Sequence, residues 1–392
     1  MSTSASVSNP QPATTITSVP PAKTSGRMVS LDVFRGLTIA GMILVNNPGN
    51  GHAYAPLKHA AWNGWTPTDL IFPFFLFIVG VSLVLSFASR LNRGASRSEL
   101  LAHSLKRAAI IFAIGVALNA FPYYHVMPIR FVGVLQRIGL AYGAAALITL
   151  WTGRRGRIIA AVALIGGYWA LMRFVPVPGF GIPGRDIPLL DPDRNWAALF
   201  DQWIVPGRLY LGTSDPEGFL STFPAIGTVL LGVLTGEWLR SKATPTRKAI
   251  GMFAWGAAGL LAGKLFDVWM PINKNLWTSS FVLFTAGFAL IVLAACYWLI
   301  DVRGWRGKWT EPFLVFGTNA IVAYTLASLT AKIIYRTKIL GGTTSIQRYI
   351  FDHVFAPLGN PSFTSLLFSL AFVAVCAIPV WVLYRKGIFI KI

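Results

Sequence analysis

Residues 69–89 read DLIFPFFLFIVGVSLVLSFAS, a stretch whose single ionisable side chain is the opening Asp69. At 1.5 Å per helical residue it is long enough to cross the roughly 30 Å hydrocarbon core of a bilayer. Working outward, further long apolar stretches fall at 30–47, 104–120, 131–152, 157–175, 219–239, 249–270, 277–300, 312–333 and 363–384. The composition agrees: 54% of the 392 residues are hydrophobic and 12% are charged, against about a quarter charged in soluble domains. The sequence therefore predicts an all-α polytopic membrane protein with about ten transmembrane helices.

The formal net charge is +20, which in a soluble protein would suggest a nucleic-acid partner. That reading needs the cations gathered on one face or in one tail, whereas here they sit in short clusters between apolar stretches. If the N-terminus is cytoplasmic, 20 of the 34 Lys and Arg fall in cytoplasmic segments, nine fall outside and five lie within spans. This is the bias expected of loops that stay inside, so topology explains the charge, both termini are placed in the cytoplasm, and nucleic acid is excluded as a partner. The first 27 residues, rich in Ser, Thr, Pro and Ala and without the apolar core of a signal peptide, read as a disordered cytoplasmic tail. The outside segments are 48–67, 176–218 and 334–362. The second is dense in Pro, Gly, Asp and Trp, and the third has room for a short helix. A polar ligand is most naturally handled on that face. Cys296 and Cys376, both within apolar runs, build neither a disulfide framework nor a zinc site. The five histidines are scattered with no His-x-x-x-His pair, so no metal is expected.

Ionisable groups inside spans are costly, which makes them functional candidates to be weighed against plain structural pairing. Asp32 and Arg35, three residues apart, can pair on one helix face. Arg35 and Asn46 are eleven residues apart, so they share a face and are separated by roughly 16 Å along the axis. Thr66, Pro67 and Asp69 have the pattern of an N-cap, a first-turn proline and a third-position acid. His59, in the run Lys58-His59-Ala60-Ala61-Trp62-Asn63-Gly64, has no such local explanation. Gln136 and Arg137, in Gly133-Val134-Leu135-Gln136-Arg137, fit interhelical hydrogen bonding. Lys274, in Pro271-Ile272-Asn273-Lys274-Asn275-Leu276-Trp277, fits an interfacial anchor. Asn319 and Lys264 are further interior polar groups. Read by themselves, these residues also fit an amino-sugar permease in which they line a pathway. A membrane scaffold fits less well, since it has no need of them.

The ordered series Leu31-Asp32-x-x-Arg35-Gly36, Val45-Asn46, Lys58-His59-Ala60-x-Trp62-Asn63-Gly64, Asp69-Leu70-x-x-Pro73, Gly133-Val134-Leu135-Gln136-Arg137, Asp215-Pro216-Glu217-Gly218, Asn273-Lys274-Asn275-Leu276-Trp277 and Tyr384-Arg385-Lys386 resembles the transmembrane acyltransferases of the heparan-alpha-glucosaminide N-acetyltransferase family. The resemblance spans nearly the whole chain after the tail, so residues 28–392 are expected to form one transmembrane acyltransferase domain. It implies a bacterial inner-membrane enzyme that moves an acetyl group from cytoplasmic acetyl-CoA, its donor substrate, to the amine of glucosamine or a related amino sugar on the periplasmic side. It also implies a homodimer in the lipid bilayer. His59 falls on the family's active-site histidine and Asn46 on its nearby asparagine. The wider superfamily sets an arginine against the CoA phosphates, which falls on Arg35, and Asp32, Gln136 and Arg137 are grouped with it as donor-binding. Trp62, Asn63, Asp69, Asn273 and Lys274 are the expected acceptor contacts.

Overall fold

The computed structural model describes residues 28–122, 128–339 and 342–390; the tail expected at 1–27 lies outside them. Long helices dominate: α1 (Val29–Asn46), α2 (Pro67–Leu91), α3 (Arg97–Ala120), α4 (Val134–Trp151), α5 (Arg154–Phe174), α7 (Thr222–Leu239), α8 (Pro245–Phe266), α9 (Ser279–Cys296, wound on to Val302) and α13 (Pro361–Arg385). Each of these nine is long and apolar enough to cross a membrane. Shorter helices are α6 (Trp196–Ile204), α10 (Glu311–Thr318), α11 (Ala320–Arg336) and α12 (Ile346–Ile350). Among the described residues, pairing of extended backbone is confined to isolated bridges.

Local sequence sets where the helices begin. Thr66-Pro67 opens α2, Thr244-Pro245 opens α8 and Asn360-Pro361 opens α13. A proline costs nothing in the first turn, because its missing N–H would have had no helical partner there. Ser96 opens α3, its Oγ accepting from Glu99 N–H while the Glu99 carboxylate accepts from Ser96 N–H.

Among the described residues ten spans follow only if α10 and α11 are counted together, and they do not form the single straight helix expected over 312–333. The chain bends by 79° between Lys308–Thr318 and Ala320–Arg336. The bend is held at Asn319, whose Nδ2 donates to Ile388 O at 3.0 Å and whose Oδ1 accepts from Ile390 N–H at 2.9 Å. A buried amide thus joins the break to the C-terminal segment, satisfying a carbonyl and an N–H of that segment.

The helices form two tiers. In α1, α2, α4, α7 and α9, 50–67% of the spanning residues are buried inside the protein; in α3, α5, α8 and α13 the share is 22–28%, and their apolar side chains face outward. In lipid no hydrophobic gain drives helix association, so close backbone approach does the work. A Cβ on Gly80 would overlap the Val229 carbonyl and one on Gly232 the Phe77 carbonyl, which brings α2 and α7 into backbone contact. Gly36 and Gly317 do the same for α1 and α10.

Candidate active site

The first two helices carry a functional group at each end. At the start of α2, Asp69 is 1% exposed and its two carboxylate oxygens are divided between two tasks. Oδ2 accepts from Thr66 N–H (2.9 Å), from Ala60 N–H (3.0 Å) and from the Thr66 hydroxyl (3.1 Å). Oδ1 lies 2.6 Å from His59 Nδ1. The cap expected from sequence is real, and it also binds a histidine from the preceding loop. A carboxylate only accepts, so Nδ1 carries a proton, and in the neutral ring Nε2 then presents a lone pair. The His59 side chain is 46% exposed and open to a ligand.

The Pro271–Trp277 turn between α8 and α9 closes over this histidine. Gly64 N–H donates to Ile272 O at 2.7 Å, and Asn273 Nδ2 donates to Asn63 Oδ1 at 3.1 Å. Lys274 Nζ stands 3.3 Å from His59 Nδ1 and 3.4 Å from Nε2. Trp277 has φ 51°, a conformation unusual for a bulky residue. It is held there by Phe72 and Phe281 (5.2 and 5.3 Å between ring centres), by Arg137 over its ring at 4.9 Å, and by a 3.2 Å bond from its indole N–H to Thr228 Oγ1.

The 176–218 excursion lies against the same face. Trp62 Nε1 donates to Leu190 O at 2.8 Å. Arg130 binds Asp215 (2.7 and 2.5 Å) and Glu217 (2.6 Å) and stacks on Tyr210 at 4.9 Å. Burial alone would raise the Glu217 carboxyl, but the charges of Arg130, Lys274 and Arg137 hold it below the usual glutamate range. Lys274 is lowered from the usual lysine range by burial, with Glu217 and Asp69 opposing the shift.

At the other end of these helices lies a cavity of about 640 Å³. Its mouth is basic, with Arg35, Arg90, Arg93, His103 and Arg107; deeper in, Phe75, Val79, Ile111, Ile138 and Ile321 form an apolar shaft. Arg35 Nη1 donates to Asp32 Oδ1 (2.9 Å) and Gly317 O (3.1 Å), and Nη2 to Ser82 Oγ (2.7 Å), joining α1, α2 and the α10 break. Arg107 Nε is buried without a hydrogen-bond partner among the described residues. A buried donor of that kind is costly unless an acceptor meets it. Phosphates would fit this mouth, and an uncharged chain would fit the shaft.

The structure brings His59, Asp69, Asn63, Asn273 and Lys274 together, and joins Asp32 to Arg35 at the cavity. It gives several expected residues other work. Asp69 and Asn273 are 1% and 0% exposed, so they are braces rather than surfaces for an acceptor. Gln136 and Arg137 are buried and do not line the cavity. Arg137 donates to Gly218 O at 3.1 Å and to the Ser221 hydroxyl, tying α4 to the start of α7. Asn46 is the exposed last residue of α1 and makes no hydrogen bond to His59 among the described residues. From sequence, Arg90, Arg93 and Arg107 stood out only collectively, as loop cations of the cytoplasmic side that could meet donor phosphates; His103 ranked below His59, and Ser82 was not singled out. Helical spacing could have revealed them: Ser82, Ser86 and Ser89 recur every three or four residues on α2, with Arg93 in step just beyond its end, as do His103 and Arg107 on α3.

A helical membrane protein with a carboxylate-backed histidine at one end and a basic cavity at the other holds the groups that acyl transfer requires. The catalytic-region profile of heparan-alpha-glucosaminide N-acetyltransferase matches residues 27–264, and the chain belongs to that family. It is 32% identical to the heparan-alpha-glucosaminide N-acetyltransferase of Mus musculus over 76% of this chain and 53% of the mouse protein. To that of Homo sapiens it is 32% identical over 80% of this chain and 54% of the human protein. The chain thus spans about half the length of the curated relatives it matches.

Proposed function

We propose that this chain transfers an acetyl group from acetyl-CoA, bound in the Arg35 cavity, to the amine of glucosamine or a related amino sugar at His59. The observation that carries this reading is the His59–Asp69 pair, an exposed histidine on a buried carboxylate, at the opposite end of α1 and α2 from a cavity suited to phosphates. Charge distribution supports an orientation with the cavity facing the cytoplasm and His59 the periplasm of a bacterial inner membrane.

Arg35, Arg90, Arg93 and Arg107 would neutralise the donor's phosphates, and the apolar shaft would take its uncharged arm toward the far face. Asp69 keeps the imidazole in the tautomer whose Nε2 accepts a proton from the sugar amine, or itself attacks the acyl carbon and carries the acetyl group. Trp62 and Asn63, at the rim, are the acceptor contacts that remain accessible.

The test is transfer of radiolabelled acetyl from acetyl-CoA to glucosamine by the purified protein in detergent, with His59→Ala alongside. Labelled N-acetylglucosamine from the wild type alone is the expected result. Transfer by the variant, or wild-type uptake of sugar into vesicles with no donor requirement, would overturn the reading in favour of a different residue or of a permease.

A further inference from the structure

Transfer of an acyl group needs a donor to the carbonyl oxygen as that oxygen gains charge, and Asn46 is not bonded to the histidine. A cation is present instead. Lys274 Nζ is nearly equidistant from both nitrogens of His59, at 3.3 and 3.4 Å. Nδ1 is already committed to Asp69, and an in-plane position equidistant from both nitrogens would press the ammonium onto the carbon between them. The ammonium therefore lies off the ring plane, within reach of any group bound at Nε2. Its place is not left to a loose loop: the ties from Gly64 to Ile272 and from Asn273 to Asn63 fix the turn just before the lysine, and Trp277 N–H donates to Lys274 O at 3.1 Å just after it. Glu217, fixed by Arg130, contributes the negative charge that faces it.

We propose that Lys274 is a catalytic residue, its ammonium donating a hydrogen bond to the acyl oxygen as that oxygen becomes an oxyanion beside His59 Nε2. This rests on the acetyl-transfer reading above. In the direct route, the sugar nitrogen forms its bond to the acyl carbon, the C=O π pair moves to oxygen, and the amine proton passes to Nε2. As the pair returns, the C–S bond breaks and the thiolate takes the proton from His59, leaving amide and thiol. Lys274 keeps its protons throughout and stabilises the charge that appears on oxygen.

The groups facing Lys274 are His59 from the loop, Asp69 from α2, Glu217 from before α7 and Arg137 from α4. Burial and Arg137 make its proton easier to lose than that of a free lysine. An oxyanion donor must be protonated, so wild-type kcat should fall on the alkaline side. Arginine stays charged there and should remove that fall.

The experiment measures kcat, the acceptor KM and the pH profile of kcat for wild type, Lys274→Met and Lys274→Arg, with thermal midpoints in detergent to confirm that each variant is folded. The expected result is a loss of about 100- to 1000-fold in kcat for Lys274→Met, the scale of a missing oxyanion donor, with the acceptor KM little changed. Lys274→Arg should recover part of kcat and lose the alkaline fall. The proposal is overturned if the wild type is active and the Met variant keeps kcat within about fivefold. It is equally overturned if the loss appears in the acceptor KM, or if the Arg variant retains the wild type's alkaline fall. An inactive wild type is a separate result, which removes the acetyl-transfer reading itself.

Discussion

Replacing Asp69 with asparagine should disable the histidine through its tautomer while leaving the fold nearly intact. The Oδ2 position is surrounded by donors, from Thr66 N–H at 2.9 Å, Ala60 N–H at 3.0 Å and the Thr66 hydroxyl at 3.1 Å. The asparagine oxygen must take that position, because the amide nitrogen there would face two backbone N–H groups. Its NH2 is then turned to His59 Nδ1, 2.6 Å from the present Oδ1. Nδ1 must accept, so the ring proton moves to Nε2, where the base is needed. An orienting carboxylate changed to its amide costs about a thousandfold to ten-thousandfold in kcat, or about 4 to 5.5 kcal/mol of barrier. Folding should lose about 1 kcal/mol, since the N-cap contacts survive without their charge. The assay is single-turnover acetyl transfer in detergent with a thermal melt of the same sample. A folded Asp69→Asn protein that keeps more than about a tenth of wild-type kcat would refute the assigned tautomer.

On the donor side, Arg107→Met should raise the KM for acetyl-CoA about tenfold or more while leaving the acceptor KM unchanged, since a charge-assisted hydrogen bond is worth about 1.5–3 kcal/mol; steady-state kinetics with each substrate varied in turn checks this. Gly317→Ala would drive a methyl into the Asp32 carbonyl across the α1–α10 contact. It should cost about 1–3 kcal/mol and weaken donor binding through Arg35, which bonds Gly317 O; a lowered thermal midpoint without a change in donor KM would contradict the coupling. Burial raises the Asp201 carboxyl from its ordinary 3.8 to about 6, against the N–H groups of Leu220 and Phe219. The folded state binds that proton more tightly than the unfolded chain, so this group's contribution to stability is full below about 4 and declines as pH rises through about 6. Asp201→Asn should flatten the thermal midpoint against pH in that window, and an unchanged profile would remove Asp201 as the cause.

What the sequence determined by itself was set by local pattern and composition. Apolar runs of about twenty residues can only be spans in a chain this poor in charge, and Thr66-Pro67 with Asp69 marks the start of α2 without any knowledge of its neighbours. The residues of both ends were legible as types, because an intramembrane Arg35 or a loop His59 stands out against an apolar background. Their partnerships were not. The Asp69–His59 bond could not be told from a cap, since the same carboxylate does both and periodicity reports only one helix at a time. The break at Asn319 was read as a straight span because hydropathy is blind to an amide that binds backbone some seventy residues away. Arg137 carries the same charge as Arg35, yet one closes a buried joint against Ser221 and Trp277 while the other faces a cavity. Only helix packing decides which, because the cost of burying a charge depends on what the neighbouring helices supply to meet it.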